Sequence, residues 1–94
     1  MASADVTCAG SAGREIEADT TQRTATLSKP GGTVTNKSSD SVWIDENAGT
    51  VSTTNGSATS YEVRQNASFA LPFDCRSFTF KTASGTSFLQ YTPR

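Results

Sequence analysis

One stretch decides the fold, residues 33–45, which have the sequence Thr33-Val34-Thr35-Asn36-Lys37-Ser38-Ser39-Asp40-Ser41-Val42-Trp43-Ile44-Asp45. Its first three residues are all β-branched, and branched side chains pack well on a pleated sheet. Residues 36–41 are polar, and such side chains bond their own backbone in turns. Residues 41–45 then alternate, which places Val42 and Ile44 on one face of a strand and Trp43 on the other. The stretch therefore predicts a β-hairpin whose inner face is covered by other strands.

Further short strands are predicted on both sides of this stretch, each bounded by turn residues such as Pro30-Gly31-Gly32 and Ser84-Gly85-Thr86. The predicted strands occupy residues 24–28, 33–35, 41–45, 61–64, 68–71, 77–81 and 87–91. Residues 46–60 form a long polar loop between two of them. About seven short strands with turn signals roughly every 8–12 residues predict an all-β fold, a small β-sandwich or jelly-roll-like domain.

The first 22 residues differ from the rest of the chain. They are rich in Ala, Ser, Thr, Gly and Asp, and their large apolar residues are limited to Val6 and Ile16. Residues 1–22 are therefore predicted to be an extended N-terminal arm, with a short helical turn over residues 13–18. Residues 23–94 are predicted to form the single β-sandwich domain.

Composition and charge argue against several classes of function. The net charge is −1 and the eight basic residues are scattered, whereas nucleic-acid binding needs a basic stripe. No apolar run approaches the length of a membrane-spanning helix, and no signal peptide is visible at the N-terminus. We therefore expect neither a nucleic-acid partner nor a membrane. With 34% hydrophobic residues and with Ser or Thr at 28 of 94 positions, the chain is expected to have a thin core that oligomerisation or a partner surface supplements.

No catalytic constellation is visible in the sequence. The chain has no histidine, which removes the commonest general base and the commonest metal ligand. Cys75 has Arg76 beside it, but we expect a buried structural thiol there and reduced thiols at both Cys8 and Cys75. Asp45 and Glu46 lack the regular spacing of a calcium loop and are expected to be solvated. The sequence thus predicts a protein that is not an enzyme and that uses no metal or cofactor.

Two aromatic residues are candidates for a contact surface. Strand alternation turns Trp43 and Phe88 away from the predicted core, and exposed aromatics are enriched at protein interfaces. The alternative is that these strands are covered on both faces, which would make Trp43 and Phe88 ordinary core residues. The predicted partner-binding residues are Val6, Ile16, Trp43 and Phe88.

Several of these segments occur in a recognisable order. A threonine- and valine-rich strand, a small polar turn and a second apolar strand span residues 33–44, and residues 63–68 lead into a later strand. Phe78, Phe80 and the turn at residues 84–87 complete the set. This order, over roughly residues 24–92, resembles the small virion proteins of tailed bacteriophages. Asp45 and Asn66 stand where that family often has glycine, and residues 1–22 have no counterpart.

The resemblance implies a β-sandwich or jelly-roll-like virion component, commonly a capsid decoration (cement) protein. Such a protein is assembled in the host cytoplasm and sits on the outside of the phage head. It binds the major capsid protein and stabilises the head by bridging capsid subunits, here as an expected homotrimer. The resemblance also leaves open a tail or head-tail adaptor component. A third alternative comes from the residues alone, a glycan- or host-surface-binding module that uses residues 46–60 and Trp43.

Overall fold

The computed structural model describes residues 4–8, 14–54 and 59–94 of the chain. These residues form nine β-strands and no helix. The strands are β1 (Val6–Cys8), β2 (Arg14–Ala18), β3 (Arg23–Leu27), β4 (Gly32–Asn36), β5 (Val42–Asp45), β6 (Tyr61–Val63), β7 (Ser68–Leu71), β8 (Ser77–Thr82) and β9 (Ser87–Thr92).

The strands form two sheets that pack face to face. The first sheet has the order β1-β3-β8-β5-β6 and the second has the order β2-β9-β4-β7. Among the strand pairs of the described residues, β1 and β3 run parallel and the others are antiparallel. The described part of the chain is therefore an all-β, sandwich-like fold, which confirms the predicted fold class.

The core lies between the sheets and is built from alternate residues of each strand. In the first sheet, Val42 and Ile44 of β5 and Phe78 and Phe80 of β8 are fully buried. Other core side chains come from both sheets and include Ile16, Ala25, Leu27, Val34, Val63, Leu71, Leu89 and Tyr91. Strand alternation turns these apolar side chains into the core. Each large one contributes about 1.5–3 kcal/mol when it is fully removed from water, and this burial stabilises the sandwich.

The stretch at residues 33–45 does not form a hairpin, so that prediction is wrong. β4 pairs with β7 and β9, whereas β5 pairs with β6 and β8, and the intervening turn carries the chain from one sheet to the other. The buried Asn36 side chain fixes this crossing. Its Nδ2 donates to the carbonyls of Asp40 (2.8 Å) and Val63 (2.9 Å). Its Oδ1 accepts the amide of Ser38 (2.8 Å), so every polar atom of the side chain has a partner.

The predicted N-terminal arm is part of the sandwich wherever the structure describes it. β1 pairs with β3 and β2 pairs with β9, so this segment supplies a strand to each sheet. Ile16 is fully buried because the alternation of β2 turns it and Ala18 into the core. The helical turn predicted over residues 13–18 is wrong, since residues Arg14–Ala18 are a strand and Gly13 lies outside the described residues. Pairing with β9 outweighs the tolerance of this segment for helix.

Trp43 points away from the core, yet it is only 6% exposed. The segment that follows β5 runs over this outer face of the first sheet. Thr79 Oγ1 donates to the carbonyl of Gly49 (2.7 Å), and Gln22 Nε2 donates to the same carbonyl (3.2 Å). Gln22 Oε1 also accepts the amide of Val51 (2.8 Å), whose side chain is buried. The chain's own loop covers this face, so the prediction of an exposed Trp43 is wrong and its alternative is correct.

Candidate functional site

The longest connection of the sandwich begins at one end. Strand register brings the starts of the segments that follow β3, β5, β7 and β9 to this end, while turns of four or five residues join the strands at the opposite end. We call it the loop end and define it as residues 28–31, 46–48, 72–76 and 93–94. Loops that rest on a rigid scaffold of strands are where binding residues commonly lie.

Phe73 is the most exposed large apolar side chain of the described residues, at 72%. It lies in a tight turn, closed by a hydrogen bond from the amide of Cys75 to the carbonyl of Pro72 (2.9 Å). The Arg94 guanidinium lies 5.9 Å from the centre of the Phe73 ring and donates to the Phe73 carbonyl (3.4 Å). Lys29 Nζ donates in turn to the carbonyl of Arg94 (3.1 Å). Phe73 is therefore exposed to solvent on a turn whose backbone is held by hydrogen bonds.

The base of the loop end is a buried contact between β9 and the turn before β4. The hydroxyl of Tyr91, which is 2% exposed, donates to the carbonyl of Gly31 (2.6 Å). Burial raises the pKa of the Tyr91 phenol above its ordinary value, which already lies well above physiological pH, so the phenol is neutral and can donate. The amide of Gly31 donates to the carbonyl of Cys75 (2.8 Å), which ties this turn to the one that carries Phe73.

A shallow, open pocket of about 230 Å³ lies beside Phe73. Its lining is polar and consists of Glu46, Asn47, Pro72, Asp74, Cys75, Arg76 and Ser77. The volume is below the roughly 300–1,000 Å³ of small-molecule sites. The described residues also contain no buried side-chain nitrogen or oxygen that lacks a hydrogen-bond partner. The pocket therefore does not argue for a small-molecule ligand.

Cys75 lines this pocket but has the properties of a structural thiol. It is 6% exposed, and its Sγ is placed to donate to the carbonyls of Ser77 (3.3 Å) and Glu46 (3.5 Å). Burial raises the pKa of the Cys75 thiol above its ordinary value, and the negative charges of Glu46 and Asp74 add to the rise. Neither Cys75 nor the buried Cys8 is in a disulfide bond.

We expect the Cys75 thiol to react slowly with iodoacetamide in the folded protein at pH 7. The reactive species is the thiolate, and each unit of pKa increase lowers its population about tenfold. The measurement is the alkylation rate of a Cys8→Ala variant, in which Cys75 is the single cysteine, with and without urea. We expect alkylation at least about tenfold faster in urea, because burial and the raised pKa are both lost on unfolding. Equal rates in the two conditions would contradict the assignment of a structural thiol.

The four residues predicted to bind a partner do not come together. Ile16 lies in the core, and Trp43 is covered by the loop after β5. Val6 of β1 is partly buried against the core. Phe88 is 36% exposed on the outer face of β9, opposite Glu17 of β2, so its predicted exposure is confirmed. Of the four, only Phe88 presents a large exposed aromatic side chain.

Sequence reasoning did not identify Phe73 or Tyr61 as an exposed aromatic residue. Tyr61 is 47% exposed, because β6 is an edge strand and its ring stacks on Phe69 at the open side of the sandwich. Phe73 follows Pro72, which ends β7, and precedes Asp74, a residue that favours turns. Strand alternation does not direct the side chain of a turn residue between the sheets, and the turn residues on both sides of Phe73 were the signal in the sequence.

Asp45 is buried rather than solvated, so the prediction for this residue is wrong. It is 4% exposed, and its Oδ1 accepts the amide of Asn47 (2.8 Å) as the chain turns after β5. A Cβ added at Gly49 would lie 2.7 Å from Asp45 Oδ2, which shows how closely the loop packs on the carboxylate. Within residues 4–8, 14–54 and 59–94, no three His, Cys, Asp or Glu side chains are grouped to hold a metal ion.

No family model, no curated protein and no solved structure matches this chain. Among the residues that the structure describes, no helix is long and apolar enough to cross a membrane. The functional proposal therefore depends on the chain's own surface and on the resemblance noted in its sequence.

Proposed function

We propose that this chain is a structural virion protein, a capsid decoration protein that binds the outer surface of a phage head through its loop end. The observation that carries the proposal is Phe73, a large aromatic side chain that is 72% exposed on a hydrogen-bonded turn, with the Arg94 guanidinium beside its ring. An apolar anchor whose backbone is already fixed by a turn loses little backbone entropy when a partner covers it. Energetically important interface residues are commonly of this kind.

The surroundings of Phe73 have the composition of an interface rim. Lys29, Asp74 and Arg94 place charges of both signs around the ring, and all three residues are exposed. Interfaces between proteins typically combine an apolar centre with a polar, solvent-accessible rim. A nucleic-acid site is expected to be lined by positive charge, whereas the charges around this ring are of both signs.

The fold and the hydroxyl-rich surface are compatible with the same function. The sandwich agrees with the fold that the resemblance to small virion proteins implies. A head offers many equivalent sites, so modest contacts made by several subunits of an oligomer add to a high avidity. The proposed mechanism of stabilisation is therefore multivalent contact with neighbouring copies of the major capsid protein, without chemistry.

Of the alternatives, the glycan-binding module loses its main support. It was based on residues 46–60 together with Trp43, and Trp43 is buried. A tail or head-tail adaptor component differs from a decoration protein in copy number per particle and in position, and the binding experiment separates the two.

We expect Phe73→Ser to weaken binding to purified heads at least about tenfold, because the substitution removes the apolar anchor. The heads are those of the phage that encodes the chain, prepared without this protein, and binding is measured by co-sedimentation over a range of protein concentrations. Phe88→Ser is the matched control, since it makes the same change at an exposed aromatic on a sheet face away from the loop end.

Near-normal binding of the Phe88→Ser variant is expected. Loss of binding in Phe88→Ser with retention in Phe73→Ser would move the docking surface to the second sheet. Retention of binding in both variants would contradict an aromatic anchor, and failure of the unsubstituted protein to bind heads would contradict the decoration function.

A further inference from the structure

β7 is an edge strand of the second sheet, and it pairs with β4 alone. The amide of Asn36 donates to the carbonyl of Ala67 (3.0 Å) just before β7 begins. Hydrogen-bonded positions alternate along an antiparallel ladder, so Phe69 also directs its backbone groups toward β4. Ser68 and Ala70 therefore direct their N–H and C=O groups toward the free edge, and both residues are exposed.

The other two antiparallel edge strands carry carboxylates at the corresponding positions. The same alternation directs the backbone groups of Glu15 and Glu17 in β2, and of Glu62 in β6, toward their free edges. Charged residues on an edge strand oppose its pairing with a further strand. β7 consists of Ser-Phe-Ala-Leu and has no charge, so its edge is open to pairing.

An aromatic pair lies next to this open edge. The rings of Tyr61 in β6 and Phe69 in β7 stack across the gap between the two sheets, with centroids 4.5 Å apart and an angle of 36°. Tyr61 is 47% exposed and Phe69 is partly buried, so the pair presents apolar surface along the side of the sandwich where β7 is unpaired.

We propose that a second copy of this chain adds its own β7 to this edge, which joins the two second sheets across a two-fold axis. An axis at Phe69 sets Ser68 opposite Ala70 of the second copy and Ala70 opposite its Ser68, and each such pair exchanges two hydrogen bonds. The two Phe69 side chains then face each other, flanked by the two Tyr61 rings. A register shifted by one pair in one direction would set Ser68 opposite Pro72, which has no N–H to donate. A shift in the other direction would set Ala70 opposite Asn66, whose φ of +64° is not that of a strand residue.

Charge complementarity favours a second copy as the occupant over another extended strand. Arg64 lies in the turn before β7 and Asp74 lies in the turn after it, at opposite ends of the strand. Antiparallel pairing about the proposed axis therefore brings the Arg64 turn of each copy toward the Asp74 turn of the other. The Arg64 side chain is 76% exposed and makes a surface contact with Glu62 (3.3 Å), and Asp74 is exposed. The interface is isologous, so the favourable pair occurs twice. The two-fold interface is complete with two copies, whereas the sequence analysis expected a homotrimer. The proposed dimer does not depend on what the protein binds.

Sedimentation velocity and native mass spectrometry of the full chain test the proposal. We expect a concentration-dependent dimer, and we expect Ala70→Pro to be monomeric because it removes a donor at the free edge while leaving the bonds to β4 intact. Circular dichroism checks that this variant is folded. Arg64→Glu and Asp74→Lys should each weaken dimerisation about tenfold, and the double variant should restore it, because the charges are exchanged within each pair.

A monomer at all concentrations, a trimer, or undiminished association of a folded Ala70→Pro variant would overturn the proposal. If Ala70→Pro does not fold, the charge exchange decides. Recovery of the dimer in the double variant supports the two-fold register, and additive weakening in the double variant contradicts it.

Discussion

Asn36→Ala is expected to lower the free energy of unfolding by about 3–4 kcal/mol, a large share of the roughly 5–15 kcal/mol that stabilises a small domain. The side chain is fully buried, and its amide joins the turn after β4 to β6 of the other sheet through Asp40 and Val63. Alanine leaves the Ser38 amide without its acceptor and opens a small cavity. The Asp40 carbonyl is affected less, because Ser87 Oγ also donates to it (2.6 Å).

Urea unfolding at pH 7 measures this loss. Asn47→Ala is the matched control, since Asn47 is exposed and its contact with Asp45 uses its backbone amide, so a change within about 0.5 kcal/mol is expected. Asn36→Asp should be at least as destabilising as Asn36→Ala at pH 7, because it removes both donors and buries a charge facing two carbonyls. An Asn36→Ala variant as stable as the Asn47→Ala control would contradict the role given to Asn36 in the crossing.

The second large effect is expected for Gly32→Ala, with a loss of about 3–5 kcal/mol in the free energy of unfolding. Gly32 has a φ of +120°, a conformation that side chains disfavour. An added Cβ would lie 2.7 Å from the carbonyl oxygen of Thr92 and 2.7 Å from Cε1 of the buried Tyr91. Neither atom can move without disturbing β9 or the bond from Tyr91 to Gly31.

The adjacent Gly31→Ala is a close control for this prediction. Gly31 also has a positive φ, +84°, but its added Cβ comes closest to Arg94 Cδ, 2.9 Å away on a flexible, exposed side chain that can shift. We expect a loss of only about 1–2 kcal/mol from the backbone conformation. Thermal and urea unfolding of the two variants measure the difference, and equal stabilities would show that the packing of Tyr91 against Gly32 does not matter.

Strand positions could be predicted from the sequence because they depend on local alternation. The predicted pairs Val42 with Ile44 and Phe78 with Phe80 do face the core. Alternation does not reveal which sheet a strand joins, so the chain crossing at Asn36 looked like a hairpin. Alternation also could not identify β2 as a strand. The residues of β2, Arg-Glu-Ile-Glu-Ala, fit a helix as well as a strand, and pairing with β9 decides between the two.

The candidate site was harder to predict, because long-range contacts decide which side chains are exposed. Trp43 is buried because a loop returns over the sheet and is held there by Gln22 and Thr79, both distant in sequence. Arg94 contacts the turn of Phe73 from 21 residues further along the chain. Local signals of exposure existed for Phe88, in the strand alternation, and for Phe73, which has proline before it and aspartate after it.

The most direct test of the proposed function is the number of copies that bind to each purified head, measured by quantitative mass spectrometry after co-sedimentation with saturating protein. Binding to a repeating capsid surface predicts on the order of hundreds of copies per head, with occupancy that falls when Phe73 is replaced by serine. Binding of about six or twelve copies would indicate a ring at the neck or tail. No binding to heads at any concentration would contradict the account.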